Sequence, residues 1–412
     1  MTLVEFYDER ALENIAGILY LRPEKVIFLG SKGKKMKKFA DNCREVLSDR
    51  GMKTQVESRT LNPNNLLSMV DILCEILDQN EQCEFNLTGG EESVMVALGM
   101  VYERFKERVQ LHRINLNSGN YVDMDEVENH AWDGVLPKLT VPELVKIYGG
   151  TILSSGIAKS SAEEISWTPE FVRDVHQLWN LCRQDCTGWN TLISNLEIIQ
   201  KYGQCEEQSL KICLSKEDES KLNGECFETE LFGRLRQGGY ILDFQAAKDQ
   251  YIFSYKNADI HKCLTKSGTV LELAVYLAAK EMEDEEEGTK YFQDLKASVY
   301  LDWDGNPHLD DNQTNTVNEI DVIMMHHLVP YFVSCKNGAV SVDELYKLYV
   351  VANHYGFGYA RKILVLTDYG KKHLQNFSFV RERAKDLGIY ILNEAHQFTI
   401  SGLSKELKRF CL

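Results

Sequence analysis

TVNEIDVIMMHHLVPYFVSCKNG, residues 316–338, is the stretch that decides the fold of the second half of this chain. Two runs rich in β-branched and aromatic residues flank a short connecting segment, which is typical of a β-hairpin. We predict that its arms are Val317–Met325 and Tyr331–Lys336, joined by a loop over His326–Val329. The hairpin is therefore the first place to look for a functional site.

Four polar side chains share a face of this predicted hairpin. Side chains alternate along a strand, so Glu319, Asp321 and Ile323 lie on one face of the first arm. With the predicted loop, Asp321 lies opposite Ser334, and Glu319 lies opposite Lys336. Two carboxylates beside an ammonium are costly to bury, whereas they suit a divalent metal and the phosphate that it would hold. The alternative is a surface hairpin with a cross-strand ion pair.

The spacing Glu-Ile-Asp-Val, then Ser-Cys-Lys, resembles the core of the PD-(D/E)XK nuclease family. In that family an acid ends one strand, and a D/E-x-K triplet lies on its hairpin partner. Asp321 matches the first acid of the family, and Lys336 matches its lysine. Ser334 departs from the pattern because it stands where the second acid belongs, and Glu319 is a candidate for the missing charge.

A glutamate before the hairpin also belongs to this comparison. The segment Thr269–Glu281 (TVLELAVYLAAKE) predicts a helix in which Glu272 stands among apolar residues. A buried carboxylate needs a partner or a metal, and the alternative is a position at the solvent edge of the helix. In the PD-(D/E)XK family a helical glutamate often completes the site. The resemblance therefore implies that Glu272, Asp321 and the Cys335 carbonyl hold Mn²⁺ or Mg²⁺, and that Lys336 and Ser334 lie beside them.

The composition limits the function classes. A chain of 412 residues, 44% hydrophobic and 26% charged, is typical of a soluble protein with two or three domains. No run approaches a membrane span and the start lacks a signal sequence, so we expect a cytoplasmic protein with no membrane partner. The 11 cysteines show no CxxC pair, which favours free thiols. A net charge of −16 argues against coating duplex DNA and favours a flexible single strand as substrate.

The first part of the chain alternates apolar strands with amphipathic helices. This alternation predicts a doubly wound, mostly parallel sheet, in which ligands bind beyond the carboxyl ends of the strands. The stretch NLTGGEESVMVALG, residues 86–99, is the strongest signal, because two glycines let a ligand approach the backbone at a helix N-terminus. The alternative is a tight strand-to-helix junction without a ligand. The chain has no GxGxxG, which disfavours a dinucleotide cofactor and a Rossmann-type metabolic enzyme.

This part of the chain resembles the CARF domain, a Rossmann-like sensor of cyclic oligoadenylates in type III CRISPR immunity. The resemblance lies in the LTGG turn, in the opening strand and helix, and in the KVIFLGS strand. The resemblance covers roughly the first 140 residues. It implies cyclic tetra-adenylate as the activator, bound across a homodimer. A departure is the acidic pair after the glycines, and nearby lysines are candidates for the positive charge. The candidate ligand-binding residues are Arg10, Asn14, Ser31, Lys32, Thr88, Gly89, Gly90 and Glu91.

We therefore predict an α/β chain in three parts. Residues 1–140 form a Rossmann-like CARF domain, residues 141–260 a connector, and residues 261–412 a restriction-endonuclease-like α/β core. The connector has a helix followed by a hairpin and is winged-helix-like. It is not notably basic, which favours a spacer over a nucleic-acid contact.

The order of the two domains resembles that of the cyclic-oligoadenylate-activated CRISPR ancillary nucleases. The resemblance implies a metal-dependent endonuclease that cleaves single-stranded DNA or RNA in antiviral defence, with allosteric activation by cyclic tetra-adenylate. The alternative is a cyclic-oligonucleotide-responsive transcriptional regulator with a decayed nuclease core, and Ser334 keeps that hypothesis open.

Overall fold

The computed structural model describes residues 1–116, 120–124, 136–153, 167–206, 210–284, 288–303, 317–367 and 374–411. The first part of the chain forms a six-stranded sheet in the order β3-β2-β1-β4-β5-β6, in which only β6 runs antiparallel to its neighbour. Its elements are β1 (Thr2–Phe6), α1 (Ala11–Leu21), β2 (Lys25–Gly30), α2 (Gly33–Asp49), β3 (Gln55–Thr60), α3 (Leu66–Gln79), β4 (Cys83–Asn86), α4 (Glu92–Arg104), β5 (Val109–Asn115) and β6 (Asn120–Asp123). The predicted doubly wound, mostly parallel sheet is confirmed.

The central strands β1 and β2 are buried on both faces, as their largely apolar sequences require. Leu3 and Phe28 pack in one hydrophobic cluster with α1 and α2. Val4 and Ile27 pack on the opposite face with α3 and α4. The sheet is thus enclosed by helices, and its carboxyl edge carries the loops after β1, β2 and β4.

The middle of the chain combines helices with a four-stranded antiparallel sheet in the order β10-β11-β9-β8. Thr168 caps the N-terminus of α6 by accepting a hydrogen bond from Phe171 N (3.1 Å), with Pro169 in the first helical position. The elements are α5 (Val141–Ile147), β7 (Thr151–Ile152), α6 (Pro169–Gln184), α7 (Cys186–Tyr202), β8 (Gln204–Glu206), β9 (Lys211–Ser215), α8 (Glu230–Gln237), β10 (Ile241–Ala246), β11 (Gln250–Tyr255) and α9 (Ala258–Thr265). The predicted helix and hairpin are present as α8, β10 and β11.

The last part of the chain forms a second six-stranded sheet, in the order β16-β15-β14-β13-β12-β7. The pairs from β12 to β14 are antiparallel, and those from β14 to β16 are parallel. The elements are α10 (Thr269–Glu281), β12 (Asp294–Asp302), β13 (Val317–His326), β14 (Val329–Lys336), α11 (Val342–Gly356), β15 (Arg361–Leu366), α12 (Leu374–Asp386), β16 (Ile389–Leu392) and α13 (Ile400–Lys408). The predicted helix Thr269–Glu281 is confirmed.

The predicted hairpin forms, with a tighter turn than expected. His326 pairs with Val329, so the connection is the two residues His327 and Leu328. The predicted four-residue loop is wrong because His327 adopts φ 52°. This left-handed conformation allows the short turns that match the twist of paired strands.

The segment 139–153 joins the two larger sheets. Its edge strand β7 pairs with β12, and Leu139 N donates to His327 O (3.0 Å). On its other side, Arg50 of the α2 C-terminus forms an ion pair with Glu143 (2.6 Å). Residues of α1, α2, α5 and α11 also share one hydrophobic cluster with β12, β13 and β14. In the part of the chain that the structure describes, no helix combines the length and apolarity needed to cross a bilayer.

Candidate functional site

The first candidate site lies where β13 and β14 separate. Their pairing ends at Val322 and Val333, after which β13 continues alongside β12 and β14 alongside β15. We call this point the strand fork. Asp321 lies in it, and its Oδ2 accepts hydrogen bonds from Cys335 N (2.6 Å) and Ser334 Oγ (3.3 Å). The predicted juxtaposition of Asp321 and Ser334 is confirmed.

The alternation of side chains breaks at the strand fork. Ile320 packs in the same cluster as Ile323, whereas Val322 packs on the opposite face. Ser298 of β12 lies between the residues that pair with Val322 and Ile320, and it has φ 49°. The faces of the paired strands therefore reverse at this point. The prediction that Glu319 shares a face with Ile323 is therefore wrong. This reversal turns Glu319 towards the start of α10.

Glu272 lies in the first turn of α10 and is buried, with 5% of its surface exposed. Ser298 Oγ donates a hydrogen bond to its Oε2 (3.1 Å). Burial, followed by the negative charge of Asp321, raises the pKa of Glu272 to about 7. A place at the solvent edge of the helix is thus excluded, and the charge of Asp321 is one cause of the raised pKa of Glu272.

The carboxyl group of Asp321 also disfavours ionisation. Its pKa is raised because burial outweighs the stabilising effects of Lys336 and the Cys335 N–H. Two buried carboxylates that disfavour ionisation next to each other are costly in the absence of a positive charge. The strand fork therefore has the electrostatic character of a cation site.

Lys336 is bound differently from the sequence-based prediction. Its Nζ lies 3.3 Å from Glu344 Oε2 and 3.8 Å from Asp321 Oδ2. The predicted pairing of Glu319 with Lys336 is wrong, because the strands have separated at that level. Glu319 instead forms an ion pair with Lys266 (2.6 Å). Sequence reasoning missed Glu344, which follows the hairpin on α11 and has no place in the family pattern.

The donor groups at the strand fork fit a divalent metal through two carboxylates and the main chain. Glu272 and Asp321 supply hard oxygen ligands of the kind that Mg²⁺ and Mn²⁺ prefer. Burial raises the pKa of the Cys335 thiol well above its usual value, so its carbonyl is the group suited to such a metal. Among the described residues, no three His, Cys, Asp or Glu side chains are arranged to hold an ion. A metal here would complete its coordination with water and substrate.

The second candidate site lies at the carboxyl edge of the first sheet. Ser31 Oγ, after β2, donates a hydrogen bond to the carboxylate of Glu91, after β4. Lys32 and Lys35 both contact Glu9 Oε1, at 3.0 and 2.9 Å. The loops after β1, β2 and β4 are thus held together, although Glu9 already balances part of the predicted positive charge.

The two glycines of the LTGG turn pack against β1. Gly90 has φ 107°, and a Cβ at this position would lie 2.6 Å from Phe6 Cβ. A Cβ on Gly89 would lie 3.2 Å from Phe6 O. The close strand-to-helix junction therefore explains both glycines, and their contact with a ligand stays a prediction.

Asn14 faces inward, beneath the predicted ligand site. It is 1% exposed, and its Nδ2 donates to Glu5 Oε2 (3.0 Å) and Phe6 O (3.0 Å). Its Oδ1 accepts from Asp8 N (3.3 Å). Asn14 is thus bonded to the end of β1, and its effect on a ligand would pass through the backbone that it fixes.

The Thr88 hydroxyl is likewise hydrogen-bonded within the protein. Its hydroxyl donates to Asn86 Oδ1 and accepts from Ile114 N (2.8 Å). Asn86 Nδ2 in turn donates to Glu5 Oε2 (2.9 Å). A hydroxyl has one donor and two acceptor positions, so Thr88 retains one acceptor for a ligand.

A buried contact connects this edge to the C-terminal part of the chain. Glu13 of α1 is 1% exposed, and its Oε1 accepts a hydrogen bond from Tyr359 OH (2.5 Å), which follows α11. The same oxygen lies 3.5 Å from Arg10 Nη1. A cavity of 330 Å³ lies at this junction, and its lining includes Tyr7, Lys35, Phe39, Tyr148 and Phe357. A predicted ligand residue, Arg10, is therefore one contact away from the C-terminal part.

Comparison with known proteins places this geometry in a fold. No protein-family model and no curated protein matches the sequence. Among solved structures, protein VC1899 from Vibrio cholerae matches with a TM-score of 0.73 and 17% identity over 99% of this chain and 97% of its own. Can2 from Sulfobacillus thermosulfidooxidans, in complex with cyclic tetra-adenylate, matches with a TM-score of 0.66 and 17% identity over 100% and 99%.

A third structure, a type III CRISPR defence DNA nuclease activated by cyclic oligoadenylate, matches with a TM-score of 0.50 and 13% identity. That match covers 97% of this chain and 51% of the nuclease. The resemblance to CARF-containing CRISPR ancillary nucleases is thus confirmed at the level of the fold. The chain shares over its whole length the fold of a protein that binds cyclic tetra-adenylate.

Proposed function

We propose that this protein is a metal-dependent endonuclease that cleaves single-stranded DNA or RNA when cyclic tetra-adenylate binds, as part of type III CRISPR defence. The observation that carries the proposal is the pair of buried carboxylates, Glu272 and Asp321, with the half-buried Lys336 ammonium beside Asp321 at the strand fork. The full-length likeness to Can2 supports the choice of activator.

The residues at the strand fork have distinct roles in this proposal. Glu272, Asp321 and the Cys335 carbonyl would hold Mg²⁺ or Mn²⁺, which supplies a water of lowered pKa and charge stabilisation for the departing oxygen. The Lys336 ammonium orients the attacking water and stabilises the charge that develops on the phosphate. Ser334 donates its hydroxyl to Asp321 and thereby fixes the carboxylate.

In this proposal the activator binds at the carboxyl edge of the first sheet. A ring of four identical nucleotides has internal symmetry, and a two-fold homodimer presents the same groups to each half of it. Arg10, Lys32 and the LTGG turn of each protomer would face the ring. Binding shifts the protein towards an active arrangement only if that arrangement binds the ring more tightly.

The test is cleavage of end-labelled single-stranded DNA and RNA, with and without Mn²⁺ and cyclic tetra-adenylate. We expect cleavage only when both are present, and cleavage slowed about 10²–10³-fold with Lys336→Ala under the same conditions. Equal cleavage by the wild type and Lys336→Ala would show that the strand fork is not the catalytic centre.

A ligand-responsive transcriptional regulator is the second candidate, and Ser334 is the observation that favours it. A serine in place of an acid leaves the site with one carboxylate fewer than the family pattern. If calorimetry detects cyclic tetra-adenylate binding while neither nucleic acid is cleaved with any divalent metal, the regulator is the better conclusion.

A further inference from the structure

Glu344 is a second carboxylate, besides Asp321, within ion-pair distance of Lys336. It occupies the first turn of α11, the helix that follows β14, where an acid also interacts favourably with the helix dipole. Glu344 Oε2 is 3.3 Å from Lys336 Nζ, and its Oε1 is 2.9 Å from Lys347 Nζ. The carboxylate is thus held between two ammonium groups.

Two other acids near the strand fork are either paired elsewhere or farther from Lys336. Glu319 is bound to Lys266 at 2.6 Å. Asp321 Oδ2 is farther from Lys336 Nζ, at 3.8 Å, and already accepts from Cys335 N. Within the described ranges, Glu344 therefore makes the shortest ion-pair contact of Lys336.

A lysine side chain has four flexible bonds, so an ammonium held from one side only samples several positions. Attraction to Asp321 alone would draw Lys336 onto a proposed metal ligand, where it would compete with the metal. A second carboxylate on a different element, 3.3 Å from the ammonium, competes with Asp321 for it. Glu344 is placed to do this from α11.

We propose that Glu344 is a positioning residue of the nuclease site, which holds the Lys336 ammonium at the strand fork and away from full contact with Asp321. The inference rests on the proposed function of Lys336. It also assigns a role to Lys347, which holds the second oxygen of Glu344 and so orients the carboxylate.

The kinetic test is a double-mutant cycle in Mn²⁺ and cyclic tetra-adenylate. We expect Glu344→Ala to lower kcat roughly 10- to 100-fold with KM unchanged, because misplacement of a catalytic group by about 1 Å costs that much. Glu344→Ala combined with Lys336→Ala should be no slower than Lys336→Ala alone, because Glu344 acts through the lysine. If the two losses multiply, Glu344 acts independently of Lys336 and the proposal is wrong.

Asp343→Ala is the matched control, because Asp343 is the exposed neighbour of Glu344 on the same helix turn. It should leave kcat unchanged. A loss equal to that of Glu344→Ala would point to helix stability in place of positioning, and would overturn the inference.

A second measurement does not depend on nuclease activity. Acetylation of Lys336 by acetic anhydride at fixed pH, followed by mass spectrometry, should be faster in Glu344→Ala than in the wild type or Asp343→Ala, because the amine loses its ion-pair partner. Unchanged labelling would refute the contact itself. Faster labelling in a protein that cleaves nothing would instead refute the proposed function and leave the contact standing.

Discussion

At the scale of single residues, variants of Asp321 and Lys336 distinguish the two roles that the nuclease proposal assigns to them, metal binding and stabilisation of the transition state. Asp321→Ala removes a metal ligand, so we expect no cleavage at ordinary Mn²⁺ concentrations and weaker Mn²⁺ binding by calorimetry. Lys336→Ala should retain the metal and lose about 10²–10³ in rate, the usual effect of removing one donor that stabilises transition-state charge. Both variants should bind cyclic tetra-adenylate like the wild type. Loss of ligand binding in either would mean that the two sites are not separate.

Glu5 provides a test of buried charge in the first sheet. Burial raises the pKa of Glu5 well above its usual value, despite the hydrogen bonds from Asn14 and Asn86. The stability that Glu5 contributes is therefore complete below about pH 4.5, its unfolded value, and is lost as the pH rises through the folded pKa. Glu5→Gln, which mimics the protonated acid, should melt at least about 2 °C higher than the wild type at pH 8 and equally near pH 4.5.

Glu84 is the matched control for Glu5, because the pKa of its carboxyl is lowered. Burial alone would raise it, but the hydrogen bonds and charge of His112 and the contact with Tyr121 outweigh that effect. Its stabilisation is present above the unfolded pKa and lost as the pH falls, so Glu84→Gln should melt lower than the wild type at pH 8. Shifts of the same sign in both variants would contradict the assignment for Glu5.

At the scale of elements, the LTGG turn links the packing of β1 to the proposed ligand site. Gly90→Val places a side chain against Phe6 at a φ that disfavours it, so the turn must move, at a cost of about 1–3 kcal/mol. We expect calorimetry below the melting temperature to show cyclic tetra-adenylate binding weakened or lost. Gly99→Ala on α4, where a Cβ meets nothing within 4 Å, should bind normally. Normal affinity in Gly90→Val would remove this turn from the ligand site.

The sequence predicts elements better than it predicts their relative placement. The hairpin, the helix of Glu272 and the parallel sheet were predictable because their hydrophobic periods are local. The reversal at Ser298 and the strand fork were not, because a positive φ at a serine has no sequence signature. Glu344 was missed because its contact with Lys336 depends on how α11 packs against β14, which no local pattern indicates.

At the scale of the whole molecule, the hydrogen bond from Tyr359 to Glu13 connects the proposed nuclease to the proposed sensor. Tyr359→Phe leaves a buried carboxylate without this donor, which should destabilise the protein by about 1–3 kcal/mol. If this contact transmits activation, the variant should bind cyclic tetra-adenylate and show a smaller increase in cleavage than the wild type. Tyr346→Phe, at an exposed position on α11, is the control. Full activation of Tyr359→Phe would show that coupling passes elsewhere.

Segment 139–153 has a consequence for the modularity of this protein. It supplies an edge strand to the C-terminal sheet and ion-pairs with the α2 C-terminus, so it serves two structural units at once. A chimera that grafts a foreign sensor onto the C-terminal part of this chain at residue 141 would keep the strand but lose the Arg50 partner of Glu143. A graft at residue 261 would lose the strand as well and expose the edge of β12 to aggregation. Recombination between such proteins should therefore succeed only when this segment is inherited together with both of its partners.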